Sequence, residues 1–300
     1  MKVRCIQHFP HGYNWLPTDN IGGGPGIGHL NDLYHLEQED WLEVGNSSVE
    51  QCIKDNVIPW CRGSFNINHL NVLEENNTHA VVGPNSVFGG NPATKEWFEG
   101  PMIHSKGISK ILVLNDKDAG YAREINTELS NKKVKRVRHF MRPDIYQTPL
   151  YEGEMKWDVL FLVKGNIRQE IKLKFNKWTA IMNPWFQYDE LVYKAQRSRL
   201  CIVGSQWDTY GLAAHEINCF GCPLVVSENG MMNGNMIDGT MGRYLDKNIN
   251  SQVIGMDTEE IIGACDEVRQ WSRKDVRDAA LDFHDPDKLK KIYKDAILGD

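Results

Sequence analysis

The sequence predicts an α/β protein of two domains, each built on a parallel β-sheet, and three observations carry that prediction. Its 300 residues are about twice a typical domain length. Short apolar runs alternate with amphipathic stretches, the pattern of βαβ units. Pro143, Pro149 and Gly153 punctuate the middle of the chain as a linker. This puts a first domain at 1–150 and a second at 151–300.

Residues 2–8 read as the first strand, and a Gly/Pro-rich loop then leads into a helix over 27–38. Residues 79–83 form a clear strand that ends in Gly83-Pro84-Asn85. Residues 102–104 and 110–114 read as two more strands, the latter feeding a helix to about residue 129, and 134–140 closes this half. In the second half, 157–163 lacks alternation and so reads as a strand buried on both faces. A strand at 177–182, a helix at 189–198, a strand at 200–204, a helix at 211–220 and a strand at 223–227 follow. The tail from 259 to 298 is helical, with a break near Asp285-Pro286. No internal repeat or low-complexity segment is visible.

The composition is ordinary for a globular protein, 41% hydrophobic and 25% charged, with a net charge of −6. A mildly acidic chain argues against nucleic acid or an anionic membrane as main partner. The one basic run, Lys132-Lys133-Val134-Lys135-Arg136-Val137-Arg138, reads as a solvated strand or turn, the alternative being a contact with an acidic acceptor or a membrane surface. The strand-like start lacks a signal-peptide pattern, and the apolar runs near 159–163 and 224–226 are too short to span a bilayer. Seven cysteines without a framework point to reduced thiols and a cytoplasmic location. Cys219 and Cys222 form a C-x-x-C with no second pair, so core thiols are favoured over zinc, and no metal is expected. Nine Trp residues in an acidic chain leave room for a homodimer interface.

The informative segment is Ser205-Gln206-Trp207-Asp208-Thr209-Tyr210-Gly211-Leu212-Ala213-Ala214-His215-Glu216-Ile217-Asn218-Cys219-Phe220-Gly221-Cys222-Pro223. At about 100° per residue, Leu212, Ala213, Ile217 and Phe220 share one face, and Glu216 falls inside their arc. His215 and Asn218 are expected to point the other way. A carboxylate on a core-facing stripe costs several kcal/mol unless donors satisfy it. Ligand hydroxyls are one source of donors, and buried Arg, Lys or backbone groups are the other. The strand at 200–204 leads into this helix, whose first N–H groups have no internal partners, and Gly211 allows close approach. Such a helix start suits a phosphate or diphosphate at the carboxyl end of a parallel strand.

These residues resemble the donor-site segment of the retaining GT-B glycosyltransferases of family 4. That pattern has an acidic residue, a Gly-Leu, a second acidic residue eight positions after the first, and a small-residue-Gly-x-Pro before a strand. Here it is Asp208, Gly211-Leu212, Glu216 and Phe220-Gly221-Cys222-Pro223-Leu224-Val225-Val226-Ser227. Asn229-Gly230 and the turn Ile237-Asp238-Gly239-Thr240-Met241-Gly242 continue the likeness, and Asp282-Phe283-His284, Leu289 and Ile292-Tyr293 resemble the closing helix. The chain also looks like compact enzymes that chlorella viruses encode. The resemblance implies two Rossmann-like domains facing a central cleft, with residues 280–300 crossing back to the first domain. It implies transfer of a hexose from a nucleotide diphospho-sugar to a glycan or glycoprotein hydroxyl with retained configuration and no metal. GDP-mannose is favoured over UDP-sugars on family frequency.

Residue by residue, the resemblance gives Glu216 the ribose hydroxyls and places Asp208 near the transferred sugar, with Asp standing where Glu is usual. Thr209, Tyr210, Gly211 and Leu212 form the donor turn. Gly22, Gly23 and Gly24 belong to a glycine-rich loop near the diphosphate, where missing Cβ atoms let N–H groups approach oxygens. His104 resembles a sugar-contacting His of the first domain. Lys164 and Arg168 match a diphosphate-binding pair by position with the identities reversed, and the segment from there to Tyr188 is shortened. Trp185 sits where a base-binding loop lies, with a core role as the alternative.

Two rival readings stand beside this one. Gly24-Pro25-Gly26-Ile27-Gly28 falls short of a G-x-G-x-x-G because His29 occupies the third glycine's place, which weakens an NAD-dependent oxidoreductase or epimerase. A non-catalytic sugar-nucleotide-binding protein on the same fold fits the Asp208 and Lys164 departures.

Overall fold

A computed structural model describes residues 2–7, 25–45, 47–62, 68–84, 102–163, 172, 174–182, 186–204, 210–227, 235–245 and 258–299. The chain divides into two compact units: one of Met1–Asn14, Asp32–Phe140 and Pro286–Asp300, the other of Trp15–Asn31 and Met141–Asp285.

The first unit carries the six strands β1 (Val3–Gln7), β2 (Leu42–Gly45), β3 (Ile58–Arg62), β4 (Ala80–Val82), β5 (Ile108–Val113) and β6 (Val134–Arg136). They pair in the order β2-β1-β3-β4-β5-β6, every pair parallel. Helices α2 (Val49–Lys54), α3 (Asn68–Glu75), α4 (Asp116–Ile125) and α5 (Thr127–Lys133) lie between strands, and helix α1 (Pro25–Leu36), between β1 and β2 in sequence, belongs to this unit from Asp32 on. Ser48, Asn115 and Asn126 cap α2, α4 and α5 by accepting a bond from a first-turn N–H, which satisfies donors the helix cannot. One apolar cluster packs Ile6, Cys61, Val82, Ile111 and Val113 against Leu70, Leu73 and Ala122.

Strands β2 and β3 and helices α2 and α3 have no counterpart in the sequence reading, because their apolar runs are short and interrupted. Residues 102–104, read as a strand, are helical. Met102 and Ile103 are buried in the same cluster, and an apolar run this short does not separate strand from helix. The basic run ends α5 and forms the edge strand β6, where Lys132 pairs with Glu128 at 2.8 Å and Arg136 with Asp116 at 2.8 Å. Charged side chains on an edge strand discourage further pairing.

The second unit carries β7 (Val159–Val163), β8 (Trp178–Met182), β9 (Cys201–Val203), β10 (Leu224–Ser227) and β11 (Gly242–Leu245). Their order is β11-β10-β9-β7-β8, again all parallel. Helices α6 (Tyr188–Gln196), α7 (Leu212–Cys219), α8 (Thr258–Val268) and α9 (Arg273–Phe283) belong to this unit, as does a 3-10 turn at Pro143–Tyr146. The last helix, α10 (Pro286–Leu298), clusters with the first unit. The helical tail therefore breaks at Asp285-Pro286, as the sequence indicates.

Gly221 follows α7 at φ +79, in the left-handed region that favours glycine. A Cβ there would stand 2.6 Å from the Arg273 carbonyl oxygen and 2.8 Å from Leu150 Cδ1. Gly221→Ala is expected to cost about 2 kcal/mol of unfolding free energy, combining strain with the clash. Denaturant unfolding checks this, and a loss under about 0.5 kcal/mol contradicts it.

Candidate functional site

In the second sheet, β7 and β9 are neighbours; the chain leaves β7 towards β8 on one side and leaves β9 towards β10 on the other, which opens a switch point beyond the carboxyl ends of β7 and β9. Open parallel sheets bind ligands at such points. Helix α7 follows β9 and begins there. Gly211 precedes it at φ 78, ψ 41, left-handed and without a side-chain cap, so the first N–H groups of α7 lack a side-chain acceptor from that position.

All eight residues of α7 are buried. The expectation that His215 and Asn218 point away from the core is therefore overturned. The reason is tertiary: α9 packs along α7, with Phe283 and His284 against His215, while the chain at Cys222 and Met241 meets Asn218. His215 lies 4.6 Å from the Tyr210 ring and 4.6 Å from the His284 ring. Asn218 Nδ2 donates to the Cys222 and Met241 carbonyls at 3.1 and 2.8 Å, which lets an amide sit inside. Cys219 and Cys222 are buried free thiols.

Glu216 is 1% exposed, and its Oε2 has no hydrogen-bond partner among the described residues. Burial pushes its carboxyl up to about 8, the charge of Arg142 pulls the other way, and Asp144 adds to the rise. Its surroundings come from elements that the sequence reading gave no site role. Arg142 precedes the 3-10 turn, is 2% exposed, and lays its guanidinium 3.5 Å from the ring centroid of Tyr188. Tyr188 opens α6, which packs against α7. Its hydroxyl is buried without a partner among the described residues, and burial, then the Glu216 charge, hold it above its usual range.

Of the residues the sequence singles out, the structure brings Tyr210, Gly211, Leu212 and Glu216 together at the start of α7. Tyr210 is buried, and its hydroxyl lies 3.4 Å from His284 Nδ1 at the end of α9. His104 belongs to the first unit, where it is exposed on a helical turn. Gly22, Gly23, Gly24, Lys164, Arg168, Trp185, Asp208 and Thr209 lie outside the described residues, as does Asn229-Gly230. The turn at Asp238 is present, with the Tyr244 N–H donating to Asp238 Oδ1 at 3.0 Å.

The first unit holds a second buried carboxylate that the sequence reading missed. Asp32 of α1 is fully buried. Its Oδ2 accepts from Arg62, from His139 Nδ1 at 2.7 Å and from the Tyr293 hydroxyl at 2.9 Å, while Oδ1 accepts from the Phe140 N–H at 2.8 Å. Burial pushes this carboxyl up, but the charges of His139 and Arg62 and the bonds to His139 and Phe140 outweigh it and hold it below the usual range. Asp32 thus ties α1, β3, the segment after β6 and the last helix together. The available signal was its place one turn from Leu36 on an apolar stripe.

Comparison with solved structures follows this topology. A sucrose-phosphate synthase from Thermosynechococcus elongatus superposes with a TM-score of 0.56, covering 98% of each chain at 11% identity. HepE of Anabaena, solved with UDP-glucose, gives 0.54 over 98% of each chain at 11% identity. The architecture is GT-B. A glycosyltransferase from Rickettsia africae gives the same TM-score of 0.54 over 98% of this chain and 97% of its own at 12% identity. No family model matches the sequence, and the search of curated proteins found no match. The GT-B likeness rests on two all-parallel sheets in one chain and extends over nearly its whole length. Among the described residues, no helix is long and apolar enough to cross a membrane.

Proposed function

We propose that this GT-B protein is a glycosyltransferase that moves a hexose from a nucleotide diphospho-sugar to a hydroxyl of a glycan or glycoprotein. The observation that carries the reading is Glu216: a buried carboxylate with an unpartnered oxygen, on a helix that starts at a sheet switch point. A vicinal diol supplies two donors to such a group, and a nucleotide ribose carries one. The left-handed Gly211 and the α7 start suit the adjoining diphosphate. The likeness to family 4 adds retention of configuration, metal-independent turnover, and roles for Asp208, Lys164, Arg168 and the glycine loop in stabilising charge on the departing diphosphate. For the donor, that likeness favours GDP-mannose, whereas HepE carries UDP-glucose.

Calorimetric titration with GDP-mannose, UDP-glucose and NAD tests this. One sugar nucleotide is expected to bind. Glu216→Ala is expected to weaken it by about tenfold or more while the chain stays folded, as for loss of a charge-assisted hydrogen bond. Binding of NAD alone returns the reading to an oxidoreductase. Nucleotide binding that ignores Glu216 removes the assigned site.

A further inference from the structure

Glycine populates both signs of φ about equally, so Gly211 does not by itself hold the left-handed turn that opens α7. The turn is held by its neighbours. Tyr210 is 2% exposed, and its ring lies 4.6 Å from that of His215 and, edge-on, 6.1 Å from that of His284. The His284 ring in turn lies 4.6 Å from His215 and 5.0 Å from Phe283, so four buried rings form one cluster. The Tyr210 hydroxyl stands 3.4 Å from His284 Nδ1. A phenol hydroxyl can donate or accept, so that contact serves either tautomer of the imidazole. The main chain fixes His284 as well: its N–H donates to the Ala280 carbonyl at 3.1 Å, and its carbonyl accepts from the Tyr146 hydroxyl at 2.6 Å. We propose that His284 is a positioning residue for the donor turn: by holding Tyr210 through its ring and its Nδ1, it keeps Gly211 in the left-handed conformation that presents the first N–H groups of α7 to a diphosphate.

The inference rests on the donor reading above and adds to it a residue that acts through Tyr210 and Gly211. His284 is fully buried and stands 74 positions from Tyr210 in sequence, at the end of α9. The cluster grips Gly211 from both sides. Tyr210 precedes it, and on the other side the His215 N–H donates to the Gly211 carbonyl at 3.0 Å while the His215 ring packs on Tyr210 and His284. N–H groups held in place before binding need no ordering when the diphosphate arrives, so an anchor beside the turn adds to affinity without a contact of its own. The likeness to family 4 counts Tyr210 in the donor turn. Its hydroxyl meets His284 in the interior, so its part is to hold the turn from within.

UDP and GDP are the probes, titrated by calorimetry at a temperature where circular dichroism shows each variant folded. Tyr210→Phe keeps the ring and removes the hydroxyl, and is expected to weaken the diphosphate that binds by about threefold or more. His284→Leu is expected to weaken it by about tenfold, and His284→Asn, whose amide can reach the place of Nδ1, to recover most of that loss. The chain carrying both Tyr210→Phe and His284→Leu should bind no more than about twofold worse than His284→Leu alone, because the two act through one contact. Losses that add in full mean that they act separately and overturn the proposal. A purely structural role lowers the melting temperature and leaves the affinity of the folded chain unchanged. That outcome for both single variants also overturns it, and the donor reading survives if Glu216→Ala still weakens binding. Should His284→Leu fail to fold, Tyr210→Phe alone decides, by whether its affinity falls. If neither diphosphate binds the native chain, the donor reading fails and takes this inference with it.

Discussion

Asp32→Ala is expected to destabilise the first unit by about 3–5 kcal/mol, the cost of breaking a buried ion pair and the hydrogen bonds gathered on its carboxylate. Arg62 is 3% exposed and pairs with Asp32, whose side chain is fully buried. Removing the carboxylate also strips acceptors from His139, the Tyr293 hydroxyl and the Phe140 N–H. Thermal unfolding should show the first unit melting roughly 10 °C lower, and protease should reach α10 sooner, since Tyr293 is that helix's tie to the hub. The pH dependence has a definite sign. The folded carboxyl lies below its unfolded value, so its contribution is present above about pH 4 and is lost as pH falls through the folded value. Replacing Asp32 and Arg62 together by Leu and Met should recover much of the loss, because a buried ion pair can be exchanged for apolar packing. A single-variant loss under about 1 kcal/mol would falsify the hub.

Glu216 should give the opposite trend in the second unit. Its folded carboxyl is raised from 4.5 to about 8, so the folded state holds a proton that the unfolded chain releases across that window. Stability contributed by this group is full below about pH 4.5 and is lost as pH rises towards 8. The shift corresponds to about 5 kcal/mol at most, and relaxation of the site lowers it. Glu216→Gln keeps the shape of the neutral acid and cannot ionise. The variant should match the native chain near pH 5 and exceed it by several kcal/mol near pH 9 in denaturant unfolding. Equal stability of the two across pH 5–9 would mean that Glu216 is charged and well partnered in the free protein. A saturating nucleotide should shrink the difference, since it supplies the missing donors.

These two carboxylates mark the limit of what a linear reading yields. Glu216 was legible because the strand–turn–helix context and the apolar arc around it needed only local periodicity. Asp32 was equally buried but carried no turn or glycine pattern within reach, and its partners lie 30, 107, 108 and 261 positions away in sequence. Arg142 stands just before the Pro143 that marks the linker and Tyr188 just before the helix expected at 189–198, and neither drew a site role. Tyr188 comes to the Glu216 helix because α6 packs on α7, and Arg142 lies on the Tyr188 ring; neither arrangement is encoded in a spacing.

The sequence by itself determined the fold class, the parallel sheets, most strands of the second half, the broken helical tail and the special place of Glu216. Each of these follows from hydrophobic period, turn chemistry or a local motif, which act over a few residues. Only the tertiary structure decided that α7 is buried on every side, that residues 102–104 are helical, and that Asp32 ties four distant segments together. It also decided that Arg142 is buried against Tyr188, at the start of the helix that packs on α7. Those outcomes depend on which elements cover which faces, and burial of a face is a property of its neighbours in space, not of the residues that compose it.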